Sequence, residues 1–219
     1  MNKISITLIS LFLFISQVFA GPPPGAGVGE GPAAQPTKKM ARWFCFEYGW
    51  YGPSLNDLNK TFSGMLGGEK IGMNDYLGIG IGMPMPGDNR MGLFFGYWNG
   101  SAKNGSNKLN LNMITFSPEG SFSIFKVQEK THFLLGFIVR DVFAWWTFNG
   151  DGLDTTDLCV VTDFGAKFTT EYYPIKSLSV KFDLQRIFLS LDWGALFTED
   201  KTKLQTQGWI IKFGLNLYY

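Results

Sequence analysis

The sequence predicts an all-β fold: an eight-stranded antiparallel transmembrane β-barrel with a short helix in its first extracellular loop. Three observations lead to this prediction. The last residues alternate large apolar side chains with small or polar ones, the amino terminus has the pattern of an export signal, and the composition combines 16% aromatic residues with 27 glycines in 219 residues. Membrane strands combine aromatic girdles with tight interior packing, so this composition suits them better than it suits an ordinary soluble domain.

The closing strand, residues 208–219, shows the alternation most clearly. A strand turns successive side chains to opposite faces, so every second residue is expected to face lipid and the others the interior. The predicted lipid-facing residues are Trp209, Ile211, Phe213, Leu215, Leu217 and Tyr219. The predicted inward residues are Gly208, Ile210, Lys212, Gly214, Asn216 and Tyr218.

The same segment resembles the carboxy-terminal signal that barrel-assembly machinery reads. The residues that carry the resemblance are Lys212, Gly214, Leu217 and Tyr219. The resemblance implies the assembly machinery as a partner during biogenesis.

The amino terminus predicts export. Lys3 precedes an apolar run from Ile4 to Phe19, and Val18 and Ala20 are the small residues expected before a signal-peptidase cut. Residues 1–20 are therefore predicted to be a signal peptide, with an uncleaved membrane anchor as the alternative.

Residues 21–40 form a Pro/Gly-rich segment. The stretch holds five of the ten prolines and has no apolar periodicity, so we predict a flexible periplasmic tail. We interpret it as a spacer, with a cell-wall tether or a partner-binding motif as alternatives.

Charge and cysteine content exclude several classes of function. The net charge is +1, with 19 basic and 18 acidic residues, which is not the footprint of a nucleic-acid-binding protein. Cys45 and Cys159 fall on the first and sixth predicted strands, which are not neighbours, so we expect two free, buried thiols rather than a disulfide. His132 is the only histidine and no CxxC pair occurs, so neither a metal site nor a cofactor is predicted.

The first strand covers residues 42–50, with an aromatic outward face: Phe44, Phe46, Tyr48 and Trp50.

A helix is predicted next, with Ser54 as its N-cap, Asp57 at capping-box distance and Gly67 at its end. Its apolar face consists of Leu55, Leu58, Phe62, Met65 and Leu66. Because an amphipathic helix must bury that face, we interpret it as a cap on the barrel mouth. Insertion into the outer leaflet and docking of a partner are the alternatives.

The second strand, residues 74–83, alternates apolar residues with glycines, and the glycine row predicts a crowded interior. The third strand runs from Met91 to Tyr97, and residues 99–107 are predicted to be a polar loop. The fourth begins near Lys108, is expected to be bulged at residues 117–120, and continues to residue 127 as one strand.

The fifth strand starts at His132 and ends in an aromatic cluster at residues 143–146, and residues 149–157 are predicted to be an acidic loop. The sixth strand follows, then a turn at residues 173–176, the seventh strand at 178–185 and a last loop at 198–206. Long connections after odd-numbered strands and short ones after even-numbered strands are typical of outside loops and periplasmic turns. Because the number of strands is even, both ends of the chain are then expected in the periplasm.

Charged residues at inward positions are the best candidate site: Glu47, Asp163, Lys167, Glu171, Lys181, Asp183 and Lys212, with Arg140 and Arg186 as further candidates. The first and last strands are neighbours in a closed barrel, so we expect Glu47 to meet Lys212. Asp163, Lys167 and Glu171 alternate in sign on one face, which favours internal pairing over a single-sign lining. Side chains fill the interior of an eight-stranded barrel, so we interpret these charges as structural salt bridges rather than a gated ion path.

No catalytic site is predicted. Outer-membrane lipid-A deacylases and phospholipases use a Ser/His pair, but His132 begins a strand at the predicted periplasmic end and no serine partner is indicated. Asp151, Asp154 and Asp157 are candidates to hold a divalent ion or to bridge lipopolysaccharide. Their spacing matches no EF-hand pattern, so we interpret them as a solvated loop.

In layout and terminal signal, residues 41–219 resemble the small eight-stranded outer-membrane proteins of the OmpA transmembrane-domain, OmpX and OmpW kind. The resemblance implies a bacterial outer-membrane location and contact with outer-membrane lipid and lipopolysaccharide. It carries over no functional residue, and the helical first loop and the Pro/Gly tail depart from the pattern.

Three functional hypotheses follow from the sequence. The first is a non-enzymatic outer-membrane barrel with a plugged lumen, which acts in envelope structure or presents its extracellular loops to a surface partner. The second is a narrow channel for small solutes or ions. The third is a soluble secreted β-barrel or sandwich that binds an apolar ligand, although this leaves the wide apolar outer faces unexplained.

Overall fold

A computed structural model describes residues 42–128, 130–150, 152–194 and 204–219. The predicted signal peptide, the whole of the predicted tail, Asp151 and residues 198–203 of the predicted last loop lie outside these residues. Eight antiparallel strands each pair with the next, and the last pairs with the first, so the sheet closes into a barrel. The strands are β1 (Trp43–Pro53), β2 (Asn74–Met85), β3 (Asn89–Asn104), β4 (Asn107–Val127), β5 (Thr131–Gly150), β6 (Leu153–Ile175), β7 (Leu178–Asp192) and β8 (Gly208–Tyr218).

Two short helical segments accompany the strands: α1 (Asn56–Phe62) and a 3-10 turn (Pro86–Asp88). No helix in the described part of the chain is both long and apolar enough to cross a bilayer. The predicted eight-stranded barrel with a helix in its first loop is confirmed. Following the rule that short turns face the periplasm, we call the end that carries residues 86–88 and Tyr219 the periplasmic end.

The barrel is apolar on its outside and largely polar within. Phe46, Leu77 and Leu135 are each more than half exposed, whereas Glu47 and Lys212 are buried. A soluble domain buries its large apolar residues instead. This inverted arrangement is that of strands whose outer faces contact lipid. In β8 the predicted alternation is present along the whole strand.

Inward glycines leave room for large rings, as the glycine row in β2 predicted. A Cβ atom at Gly82 would lie 2.1 Å from Cζ2 of Trp43, and one at Gly80 would lie 2.4 Å from Cδ1 of Phe94. Gly96 of β3 gives the same space to the Tyr76 hydroxyl. The interior is therefore filled from the sides by rings that only glycine neighbours can accommodate.

Two of the predicted outer loops are strands. The segments predicted as loops, residues 99–107 and 149–157, continue the β3–β4 and β5–β6 ladders, which pair as far as Asn104 with Asn107 and Gly150 with Leu153. Each connection is then only two residues long. Polar side chains are compatible with a paired ladder above the membrane, and composition alone therefore misplaced these boundaries.

β4 is one strand, as predicted, but its irregularity lies elsewhere. Pairing with β5 keeps one register on both sides of Pro118, and the register shifts between Ser123 and Phe125. The expected bulge at residues 117–120 was wrong, because Pro118 interrupts pairing locally without inserting a residue. The expected turn at residues 173–176 also shifts, since β6 continues to Ile175.

The helix is shorter than predicted. Its N-cap is Leu55 and no side chain caps it. Ser54 instead continues the β1–β8 pairing, since its backbone N–H donates to the Gln207 carbonyl oxygen. The helix ends at Phe62, not at Gly67. Met65 is 40% exposed, so its predicted place on the apolar face was wrong, while the four other predicted residues are buried.

The β1–β8 seam gives a first prediction. A Cβ atom at Gly49 would lie 1.9 Å from the Ile211 carbonyl oxygen, and backbone cannot move aside as a flexible side chain can. We expect Gly49→Ala to destabilise the barrel by about 1–3 kcal/mol, the usual penalty of overpacking. Urea unfolding followed by tryptophan fluorescence measures the change.

Gly64→Ala is the matched control, because a Cβ atom there meets nothing within 4 Å. Equal unfolding midpoints for the two variants would contradict the tight seam.

Candidate functional site: the charged barrel interior

The candidate site is a column of paired charges inside the barrel. The seven residues predicted from the sequence are all buried there, and Arg140 joins them. Arg186 does not, because it lies on the outward parity of β7 and its guanidinium stacks 5.2 Å from the Trp209 ring centroid. Sequence reasoning missed Glu119 and Arg90. The ten interior charges are five acids and five bases: Glu47, Glu119, Asp163, Glu171, Asp183, Arg90, Arg140, Lys167, Lys181 and Lys212.

A continued alternation would have found both missed residues. Glu119 lies on the same parity as Ser117 and Ser121, which are also buried, but the proline and glycine beside it suggested a break. Arg90 lies on the same parity as Gly92 and Phe94, but the predicted third strand began only at Met91.

The middle of the column is built around Glu47 and Glu119. Glu47 accepts hydrogen bonds from both Lys181 and Lys212, the latter at 2.8 Å, so the contact expected across the β1–β8 seam is present. Glu119 accepts from Lys167 at 2.6 Å, and Asp183 lies 3.0 Å from the Lys181 ammonium. Three acids therefore neutralise three lysines in this layer.

Phe94 occupies the centre of this layer. The Nζ atoms of Lys181, Lys212 and Lys167 lie 4.5, 5.3 and 5.6 Å from its ring centroid. The face of an aromatic ring attracts cations, most strongly when both are desolvated. One ring thus fills the axis of the barrel and stabilises the ammonium groups around it.

Towards the outer end, Arg140 pairs with Asp163. The Arg140 Nε donates to the Asp163 carboxylate at 3.0 Å, and its Nη2 donates to the Tyr51 hydroxyl at 2.7 Å. Thr206 donates to the second carboxylate oxygen at 2.5 Å. This buried pair links β1, β5, β6 and the segment before β8, and each charge has additional hydrogen bonds that offset its desolvation.

At the periplasmic end, Arg90 pairs with Glu171. The Arg90 guanidinium also donates to the hydroxyls of Tyr218, at 2.7 Å, and Tyr173. Glu171 accepts from Asn216 at 2.8 Å and from Tyr218 at 2.6 Å. Glu171 of β6 is thereby tied to β3 and to β8.

The charges of β6 pair with other strands and not with each other. Residues four apart on a strand are separated by about 13 Å, so Asp163, Lys167 and Glu171 cannot touch. Each instead meets an opposite charge projecting from elsewhere on the wall: Arg140, Glu119 and Arg90, respectively. Pairing is internal, as expected, but it runs between strands: Arg140 lies beside Asp163 on the neighbouring strand, whereas Glu119 and Arg90 project from strands that are not adjacent to β6.

Apolar residues lie above the charges, and α1 covers them. Phe62 stacks on Phe148 with ring centroids 4.8 Å apart and meets Trp146 edge-on at 5.2 Å. Leu55, Leu58 and Leu66 are also buried in this cluster. The helix therefore folds back onto its own barrel, which is the capping arrangement that the sequence favoured.

Little space remains between the side chains. A cavity of about 20 Å³ lies between the middle and periplasmic layers, lined among others by Arg90, Phe94, Glu119, Lys167 and Glu171. That volume holds about one water molecule.

The remaining candidate residues are the cysteines, the histidine and the acidic residues near the start of β6. Cys45 and Cys159 are buried thiols that do not bond to each other. His132 packs on the Tyr173 ring at 4.8 Å. Asp154 and Asp157 lie on β6 rather than in a loop. No group of three potential metal ligands occurs in the described segments.

Solved structures share this architecture. A "major outer membrane protein" from Thermus thermophilus aligns with a TM-score of 0.51 and 15% identity, over 81% of this chain and 99% of that one. The chain has the fold of the small eight-stranded outer-membrane β-barrels. At this identity the likeness is one of fold alone.

Two further structures align at lower scores. Ail, "the attachment invasion locus protein of Yersinia pestis", gives a TM-score of 0.49 with 9% identity, over 82% of this chain and 97% of that one. "Neisserial surface protein A" gives 0.43 with 12% identity, over 82% and 96%. No protein-family model matches the chain, and no curated protein does.

Removal of one interior acid gives a second prediction. Glu47→Gln leaves two buried ammonium groups short of a partner, and an uncompensated buried charge typically costs about 3–5 kcal/mol. We expect a loss of about 3 kcal/mol, near the lower end of that range, because Lys181 keeps Asp183. Urea unfolding of the protein refolded in lipid measures it.

Glu69→Gln removes an exposed acid from the outer loop and is expected to change stability by less than about 0.5 kcal/mol. If both variants unfold at the same urea concentration, the interior pairs do not stabilise the barrel.

Proposed function

We propose that the protein is a non-enzymatic integral barrel of the bacterial outer membrane, with a plugged lumen and a structural or surface-binding role. The observation that carries this proposal is the charge-balanced interior: five acids and five bases pair inside the barrel, all of them buried except Arg90, which is half-buried, and the apolar cap lies above them.

Membrane insertion is supported by the outer face. Large apolar residues are about half exposed all around the barrel, among them Ile79, Phe95, Phe137 and Phe213. Such a continuous apolar surface is unstable in water, which disfavours the soluble secreted binder. The fold and the predicted export signal agree with the outer membrane, where lipid and lipopolysaccharide would surround the barrel. Lys212, Gly214, Leu217 and Tyr219 are proposed to engage the assembly machinery before insertion.

A plugged lumen is supported by the side-chain packing. An ion that crossed the barrel would have to separate Glu47 from Lys212 and displace Phe94 from the axis. Because the layers are individually neutral, they also offer no single-sign ring of the kind that selects ions in channels. These features favour a closed barrel over the narrow channel.

The absence of enzymatic activity is proposed on the same basis. The buried carboxylates and ammonium groups are held by each other, and a general base or nucleophile needs a substrate within hydrogen-bond reach. Arg140, Asp163 and Glu171 instead lie behind layers of packed side chains.

A surface role is supported by the outer ends of four strands. β3 pairs with β2 only as far as Trp98, and β6 pairs with β7 only from Val161. Strands β3 to β6 therefore extend further outward than their neighbours and form a four-stranded sheet above the barrel. A projecting sheet with backbone groups at its borders is a common docking surface for another chain.

A third prediction tests the proposal by electrophoresis and conductance. Protein extracted from outer membranes is expected to change its mobility on boiling in SDS, because a closed barrel resists the detergent until heated. In planar bilayers the folded protein is expected to give no conductance steps, while a known porin under the same conditions does.

An unshifted band in the soluble periplasm would contradict the membrane barrel. Regular conductance steps whose ion preference changes in Lys167→Gln would contradict the plugged lumen and establish the channel.

A further inference from the structure

A basic pocket lies at the periplasmic rim, outside the charged column. Its volume is about 360 Å³. Lysines from three places line it: Lys126 at the end of β4, Lys130 in the β4–β5 turn and Lys176 after β6. Asp88 and Tyr173 also line the pocket.

Backbone hydrogen bonds fix the two turns that carry this pocket. The Lys130 N–H donates to the Val127 carbonyl at 3.2 Å, and the Tyr173 N–H donates to the Lys130 carbonyl at 2.8 Å. The Tyr173 hydroxyl is in turn held by Arg90 and by Tyr218, at 2.9 Å from the latter. The pocket is therefore built on the rigid end of the barrel and not on a long loop.

Among its described residues, the pocket carries more positive than negative charge. Asp88 forms an ion pair with Lys126, and the hydrogen bond from that lysine lowers the pKa of the Asp88 carboxyl, so one lysine is neutralised. Lys130 and Lys176 are exposed, and neither has an ion-pair partner among the described residues. Two ammonium groups thus converge on one concave surface.

Apolar surface continues from the pocket along the lipid-facing side. Ile175 lines the pocket and is 59% exposed, and Tyr172 beside it is 47% exposed. Phe125 and Phe133 stack nearby with ring centroids 4.3 Å apart. A ligand that fits this surface has an anionic head and apolar chains.

We propose that the pocket binds the phosphate group of an anionic phospholipid in the periplasmic leaflet. Lys130 and Lys176 contact the phosphate, and the acyl chains lie over Ile175 and Phe133. The inference rests on the proposed membrane location, since only there does the pocket meet a headgroup layer. A free phosphate ester shares the charge but gains nothing from the apolar surface.

Native mass spectrometry of the full chain tests this. The detergent-solubilised protein is mixed with equal amounts of phosphatidylglycerol and phosphatidylethanolamine, and the two bound populations are counted. Wild type is expected to retain phosphatidylglycerol preferentially. In K130Q/K176Q that preference is expected to fall by about tenfold or more, because each lysine near an anionic lipid surface contributes about 1 kcal/mol.

K103Q/K108Q is the matched control, because it removes the same charge from exposed lysines at the opposite end and should keep the wild-type preference. An equal loss in both double variants, or no preference in wild type, would overturn the proposal. Displacement of the lipid by equimolar sn-glycerol 3-phosphate would overturn the lipid assignment in favour of a free phosphate ester.

The mobility shift on boiling distinguishes a failure of the proposed lipid site from a failure of the proposed membrane barrel. A heat-shifted protein without lipid preference refutes the rim site alone. A protein without the shift refutes the membrane barrel on which the rim site depends.

Discussion

Opposite charges that meet across a narrow barrel are the constraint on which the rest of this structure depends. Eight strands enclose a space only wide enough for side chains, so any charge that enters must find its counter-charge within a few ångströms. Glu47 of β1, held by Lys181 of β7 and Lys212 of β8, ties the first strand to the last two. β1 is thereby placed in register with β7, which is not its immediate neighbour, in addition to its backbone ladder with β8.

Interior crowding follows from the same constraint. Once Phe94 and Trp43 fill the axis, the inward positions beside them on β2 and β3 must be glycine, and this accounts for Gly80, Gly82 and Gly92. The apolar outer face follows as well, because lipid rather than a core must cover the large residues that the interior cannot hold. Inside and outside are thus two consequences of one narrow cross-section.

The period-two alternation of apolar and polar residues predicted much of the fold and of the charged interior. It gave the strand number, the facing of β1 and β8, and seven inward charges, because a strand's two faces can be distinguished from its own residues. The pairing partners could not be predicted in the same way: Asp163 meets Arg140 because of the register between β5 and β6, and no single strand encodes that. Arg90 and Glu119 were missed where a turn signal or a proline interrupted the pattern, although their parity was correct.

The central claim is that the interior is closed to bulk solvent, and the reactivity of lysines tests it most directly. Folded protein in lipid vesicles is treated with a water-soluble amine-acylating reagent, and modified lysines are identified by mass spectrometry. Lys103, Lys130 and Lys176 are expected to react, whereas Lys167, Lys181 and Lys212, at most 7% exposed, should react only after boiling in SDS. Acylation of Lys167 or Lys212 in the folded protein at the rate of Lys103 would contradict the account.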